Sequence, residues 1–101
     1  MTTSSPSKNY NIAVIGLWHL GCVLCAAWSS KNFFVKGFDH EKTRVKNLLK
    51  GSPPIFEPGL TELVLRNQSQ KRLYFTSDPI ESIQHGEIFF IAVGTPPDAS
   101  G

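Results

Sequence analysis

The chain has 101 residues and a formal net charge of +2, which suits one domain with one core and leaves little room for a second. So small a charge gives no argument for nucleic acid, and no apolar run is long enough to span a bilayer. Charge is uneven, however. Residues 1–50 hold seven Lys/Arg against Asp39 and Glu41, whereas residues 51–101 hold Arg66, Lys71 and Arg72 against six acids. A basic first half suits an anionic ligand, and equally a solvated helix face.

Residues 1–9 (MTTSSPSKN) are polar and are expected to form a disordered tail. They lack the apolar core of a secretory leader, so a reducing cytoplasm is the expected setting. NIAVIG follows, a continuous apolar run without alternation, which predicts a strand buried on both faces, as in a parallel sheet. Residues 20–30 are small and apolar and predict a helix. Residues 33–39 (FFVKGFD) are aromatic and β-branched and predict a second strand. Val45, Leu48 and Leu49 give an amphipathic helix over residues 41–50, with Lys42, Lys46 and Lys50 facing water and Gly51 ending it.

Three prolines in SPPIFEPG exclude regular helix or central strand. Leu60, Leu63 and Val64 restart a helical period, and residues 72–78 predict a short strand. Asp78, Pro79 and Glu81 then combine an N-cap acid, a first-turn proline and an acid three residues after the cap, marking a helix that ends near His85-Gly86. EIFFIAV, residues 87–93, is the last predicted strand, broken by GTPPDASG. The order β-α-β-α-α-β-α-β predicts an α/β fold: a partial Rossmann-like parallel sheet of about four strands with helices on both faces. Such sheets bind ligands beyond the carboxyl ends of their strands. Here those ends are Gly16, Asp39, Thr76-Ser77 and Gly94-Thr95.

At the first end stands GLWHLG, residues 16–21. Gly16 permits a tight turn, Gly21 permits close packing of the next helix, and that helix offers free N–H groups to a pyrophosphate. Asp39 follows Gly16 by 23 residues, close to the spacing of roughly 20 at which an acid bonds the adenosine ribose. An acid there disfavours a 2′-phosphate, so NAD is expected over NADP. Arg44 reads either as an adenosine-side contact or as a solvated charge. Cys22 and Cys25 are expected to be packing residues on one helix face. A redox or metal role is the weaker reading, because no second Cys pair exists. No metal site is expected.

Four stretches, IAVIGLWHLG, GFD, PIFEPGL and IAVGTPP, together resemble the N-terminal part of the UDP-glucose/GDP-mannose 6-dehydrogenase family. PIFEPGL and IAVGTPP are the specific ones, since a Rossmann sheet in general has no need of them. The resemblance implies that residues 10–101 are the N-terminal part of an NAD-binding domain. It also implies a longer enzyme that oxidises the 6-hydroxyl of a nucleotide sugar to a carboxylate in two hydride transfers, as in polysaccharide biosynthesis. It assigns the pyrophosphate turn to Gly16, Leu17, Trp18, His19, Leu20 and Gly21, the ribose to Asp39 and Arg44, and a further wall to Val93, Gly94 and Thr95. Glu57 and Pro58 read as loop-fixing residues.

The departure is Trp18, where the family usually has a middle glycine. The ring either crowds the diphosphate or swings onto the cofactor or a neighbour; Asp39, Arg44 and Thr95 favour retained binding. The family's catalytic cysteine lies in a G-x-G-G-S-C-like stretch absent here, so no catalytic residue is assigned and the 101 residues alone are expected to be inactive. The expected partners are NAD and, in the longer enzyme, a nucleotide sugar. A further expectation is a second copy paired at an exposed sheet edge. The alternative function is a non-catalytic nucleotide-sensing or interaction domain, with cofactor binding impaired by Trp18.

Overall fold

The computed structural model describes residues 10–93. The expectations for residues 1–9 and 94–101 lie outside that range. The elements follow the expected order: β1 (Asn11–Ile15), α1 (His19–Ser30), β2 (Phe34–Phe38), α2 (Lys42–Leu49), α3 (Leu60–Ser69), β3 (Leu73–Thr76), α4 (Pro79–His85) and β4 (Ile88–Ile91).

The four strands form one parallel sheet in the order β3-β2-β1-β4. Right-handed crossovers, which parallel connections take, put α1, α2 and α3 on one face and α4 on the other. In keeping with this, α1 packs on α3 and on the sheet, while α4 packs on β1, β2 and β3. Register then aligns the strand ends. Ile15 pairs with Phe38 on one side and with Ile91 on the other, and Phe38 pairs with Thr76. The residues that follow each strand therefore emerge along one rim.

The central strand is buried through Ile12, Ala13 and Val14, as its continuous apolar run predicts. Above it, Leu17, Cys22, Cys25 and Ala26 join Val35, Leu48, Val64 and Leu73 in the core. One local expectation is corrected. Leu49 is 49% exposed, because the core-facing positions of α2 are Val45 and Leu48, one turn apart. The last strand is mostly exposed, since β4 is an edge with one neighbour. On β4 only Phe90 is tucked in, stacked on Trp28 of α1 with ring centres 5.5 Å apart.

Close approach of α1 to the sheet depends on Gly37 in β2. A Cβ there would lie 2.8 Å from Leu17 Cδ2, 2.9 Å from Cys25 Sγ and 3.0 Å from a Phe75 ring carbon. Gly37→Ala is expected to destabilise the domain by about 1–3 kcal/mol through overpacking, read as a lower urea midpoint; an unchanged midpoint would contradict this packing.

Candidate functional site

The rim at the ends of β1, β2 and β4 carries a cleft of about 810 Å³. Its floor is the turn after β1. Gly16 has φ +101°, a conformation that side chains rarely adopt. A Cβ at Gly16 would also come within 3.0 Å of the Ala92 and Val93 backbone. At Gly21 an added Cβ would stand 1.7 Å from the Gly16 carbonyl oxygen, which excludes any side chain there without moving the backbone. The turn is pinned further by the Gly16 N–H, which donates to the Phe38 carbonyl at 2.8 Å. The Ala92 N–H likewise donates to the Ile15 carbonyl at 2.7 Å.

Asp39 stands at the end of β2 beside this turn, 4% exposed. Its Oδ2 accepts from the Leu17 N–H at 2.9 Å, and its Oδ1 accepts from the Glu41 N–H and from Arg44 Nη1, each at 2.9 Å. Three donors thus occupy three of the roughly four lone-pair positions of a carboxylate. One position remains for a ligand hydroxyl. Burial by itself raises the Asp39 pKa. The Glu41 and Leu17 N–H groups and the Arg44 guanidinium outweigh it and hold the carboxyl below its ordinary value.

Trp18 is the N-cap residue of α1, with φ −80° and ψ −161°. This is ordinary extended backbone, so the turn accepts a side chain where a G-x-G-x-x-G turn has glycine. The indole lies against Arg44, whose guanidinium carbon is 4.0 Å from the ring centre. No side chain caps the first turn of α1. A helix leaves its first N–H groups without intrahelical acceptors, so this end presents donors and a partial positive charge to the cleft.

Of the residues singled out above, Gly16, Trp18, His19, Leu20, Asp39, Arg44 and Val93 line the cleft. Gly21 is buried beneath the turn, where it sets the helix position. Leu17 is fully buried in the core and gives its N–H to Asp39, so it supports the turn from below. Gly94 and Thr95 lie outside the described residues. His19 Nε2 is 3.2 Å from Glu57 Oε1, which ties the proline-rich loop to the glycine turn, as its loop-fixing reading expects.

The cleft also includes Phe38, His40 and Ile55, which the sequence reading missed. Only His40 had a signal, its place directly after the strand-end acid. The thiols serve the core: the Cys22 S–H donates to the Leu17 carbonyl, and burial pushes Cys22 up to about 12 and Cys25 well above its ordinary value.

A glycine turn at the switch point of a parallel sheet, a helix end aimed at the cleft and an acid at the next strand end define a dinucleotide-binding domain of the Rossmann type. The residues fit such a ligand: two positions a Cβ would obstruct keep the backbone close, uncapped N–H groups suit a diphosphate, and Asp39 keeps one acceptor position.

Residues 10–101 match the family model described as UDP-glucose/GDP-mannose dehydrogenase family, NAD binding domain. The chain is 37% identical over 91 residues to UDP-glucose 6-dehydrogenase YwqF of Bacillus subtilis, covering 90% of this chain and 21% of that protein. It superposes on a UDP-glucose dehydrogenase from the archaeon Pyrobaculum islandicum with TM-score 0.86 and 33% identity, over 98% of this chain and 23% of the other. It also superposes on a GDP-mannose dehydrogenase from Pseudomonas aeruginosa, solved as a ternary complex, with TM-score 0.83 and 32% identity, over 90% of this chain and 21% of the other. The chain belongs to the UDP-glucose/GDP-mannose dehydrogenase family and carries its NAD binding domain. It spans about a fifth of the length of these relatives.

Because the folded-state pKa of Asp39 is depressed, its stabilisation is present above the unfolded-chain value of about 3.9 and is lost as pH falls through the folded value. Asp39→Asn is expected to melt below the parent at pH 7, with the gap narrowing below about pH 4. A gap that does not vary with pH would contradict the charged network.

Proposed function

We propose that this domain holds NAD with the diphosphate over the turn formed by Gly16, Trp18, His19 and Leu20. Gly21 and Leu17 shape that turn from beneath. Asp39 takes an adenosine ribose hydroxyl with its remaining acceptor position, and Arg44, with the Glu41 and Leu17 N–H groups, orients that carboxylate. Val93 lines the cleft and contributes to its cofactor-facing wall, and the family resemblance assigns Gly94 and Thr95 to the cofactor as well.

The whole protein is read as an oxidoreductase that converts the 6-hydroxyl of a nucleotide sugar to a carboxylate. NAD supplies the hydride acceptor for both oxidations. This chain's residues bind and orient; none is assigned a catalytic role, and the sugar nucleotide is a partner of the longer enzyme. Buried free thiols suit a reducing cytoplasm, and a role in polysaccharide biosynthesis goes with the substrate class. The exposed edge of β4, where Ile88, Phe89 and Ile91 are 38%, 43% and 71% exposed, suits further strands of a longer sheet or a second copy.

The observation that carries the reading is the Leu17–Asp39–Arg44 linkage at the end of an aligned parallel sheet. A nucleotide-sensing domain with a blocked cleft has less support, because the indole rests on Arg44 with unstrained backbone.

Calorimetry with NAD tests the proposal. Binding is expected, and Asp39→Ala should weaken it by about 1–3 kcal/mol, the cost of losing a charge-assisted hydrogen bond. An unchanged dissociation constant, or no heat at millimolar NAD, would overturn it.

A further inference from the structure

We propose that the indole of Trp18, clamped by Arg44, is a contact surface for the adenosine half of the dinucleotide. It replaces part of the binding that a middle glycine provides at the diphosphate. This rests on the NAD reading above and goes further, assigning a role to the one residue by which the turn departs from G-x-G-x-x-G.

Three observations carry it. First, the ring is held toward one end of the cleft. Arg44 covers it at 4.0 Å while also donating to Asp39, so indole, guanidinium and carboxylate form one linked group at the ribose end. Second, the ring has surface to offer. Trp18 is 50% exposed although Arg44 lies over it, and it lines the cleft together with Asp39 and His40.

Third, Trp18 and Arg44 form a wall shared by two hollows. On the α2 side lies a second hollow of about 560 Å³, to which Thr43, Asn47 and Ser52 contribute. Trp18 and Arg44 line both. The indole is thus an apolar surface standing between the adenosine end and that second hollow. A flat ring already fixed by a neighbour offers stacking area to a base or ribose with little ordering cost on binding. The guanidinium behind it is mostly buried, with the side chain 16% exposed, which keeps the platform in place.

The test combines fluorescence with calorimetry on the 101-residue chain. NAD and ADP-ribose are expected to change the tryptophan emission of the parent, and nicotinamide mononucleotide at equal occupancy is not. Trp28 is partly buried against the core, stacked on Phe90, and remains as the reference. In Trp18→Phe the emission change should vanish, and the NAD dissociation constant should rise by less than in the ringless variant. In Trp18→Ala, which removes the ring without supplying the middle glycine, the constant should rise about tenfold, the size expected for losing an aromatic stack on a base.

NAD heat without any emission change in the parent would overturn this inference and leave the NAD reading standing. So would a Trp18→Ala variant that binds as tightly as the parent, or a response to the mononucleotide alone. Absence of NAD heat would overturn the NAD reading and this inference with it.

Discussion

The Asp39 carboxylate is where the parts of this rim are joined. It receives an N–H from the glycine turn after β1, an N–H from the start of α2 and the guanidinium of Arg44. The donors come from two distant stretches, Leu17 after β1 and Glu41 with Arg44 at the start of α2. Such charge-assisted bonds are worth more than neutral ones, and a buried carboxylate without them would be costly. Asp39 therefore acts as a strut before it acts on any ligand. It fixes how far the end of β2 stands from the turn, and so the width of the cleft.

The strut works because the rest of the sheet leaves no slack. Parallel register brings Ile15, Phe38 and Ile91 level, and the turn is bonded to both neighbouring strands through Gly16 and Ala92. The absence of side chains at Gly21 and Gly37 lets α1 sit close enough for its first turn to face the cleft. The chain thus delivers a helix end, an acid and two walls to one place. Dinucleotide binding in a doubly wound sheet requires that arrangement.

Much of this was legible in the residues. Element order followed from continuous apolar runs, a proline-interrupted loop and the Asp78–Pro79 helix start, whose N-cap is formed by Asp78 accepting from the Ile80 N–H. The position of Asp39 after the second strand and the glycine pair pointed to the ligand class. Side-chain contacts between distant stretches were not legible. Spacing marks Asp39 as a ribose ligand but says nothing of its bond to the Leu17 N–H. It marks Trp18 as an intrusion but does not reveal the guanidinium that receives the ring. Exposure of Leu49 was missed because apolar pattern reports what can be buried, not whether a neighbour is there to bury it.

The central claim is that Asp39 holds the glycine turn in place through the Leu17 amide. Amide hydrogen exchange followed by NMR addresses that bond directly. The Leu17 amide should exchange as slowly as those of β1 in the parent chain. In Asp39→Ala it should lose protection by at least about tenfold more than Ile12 or Val14 do, because charge-assisted bonds of this kind contribute more than 1.4 kcal/mol. Equal protection of Leu17 in the two proteins would contradict the account.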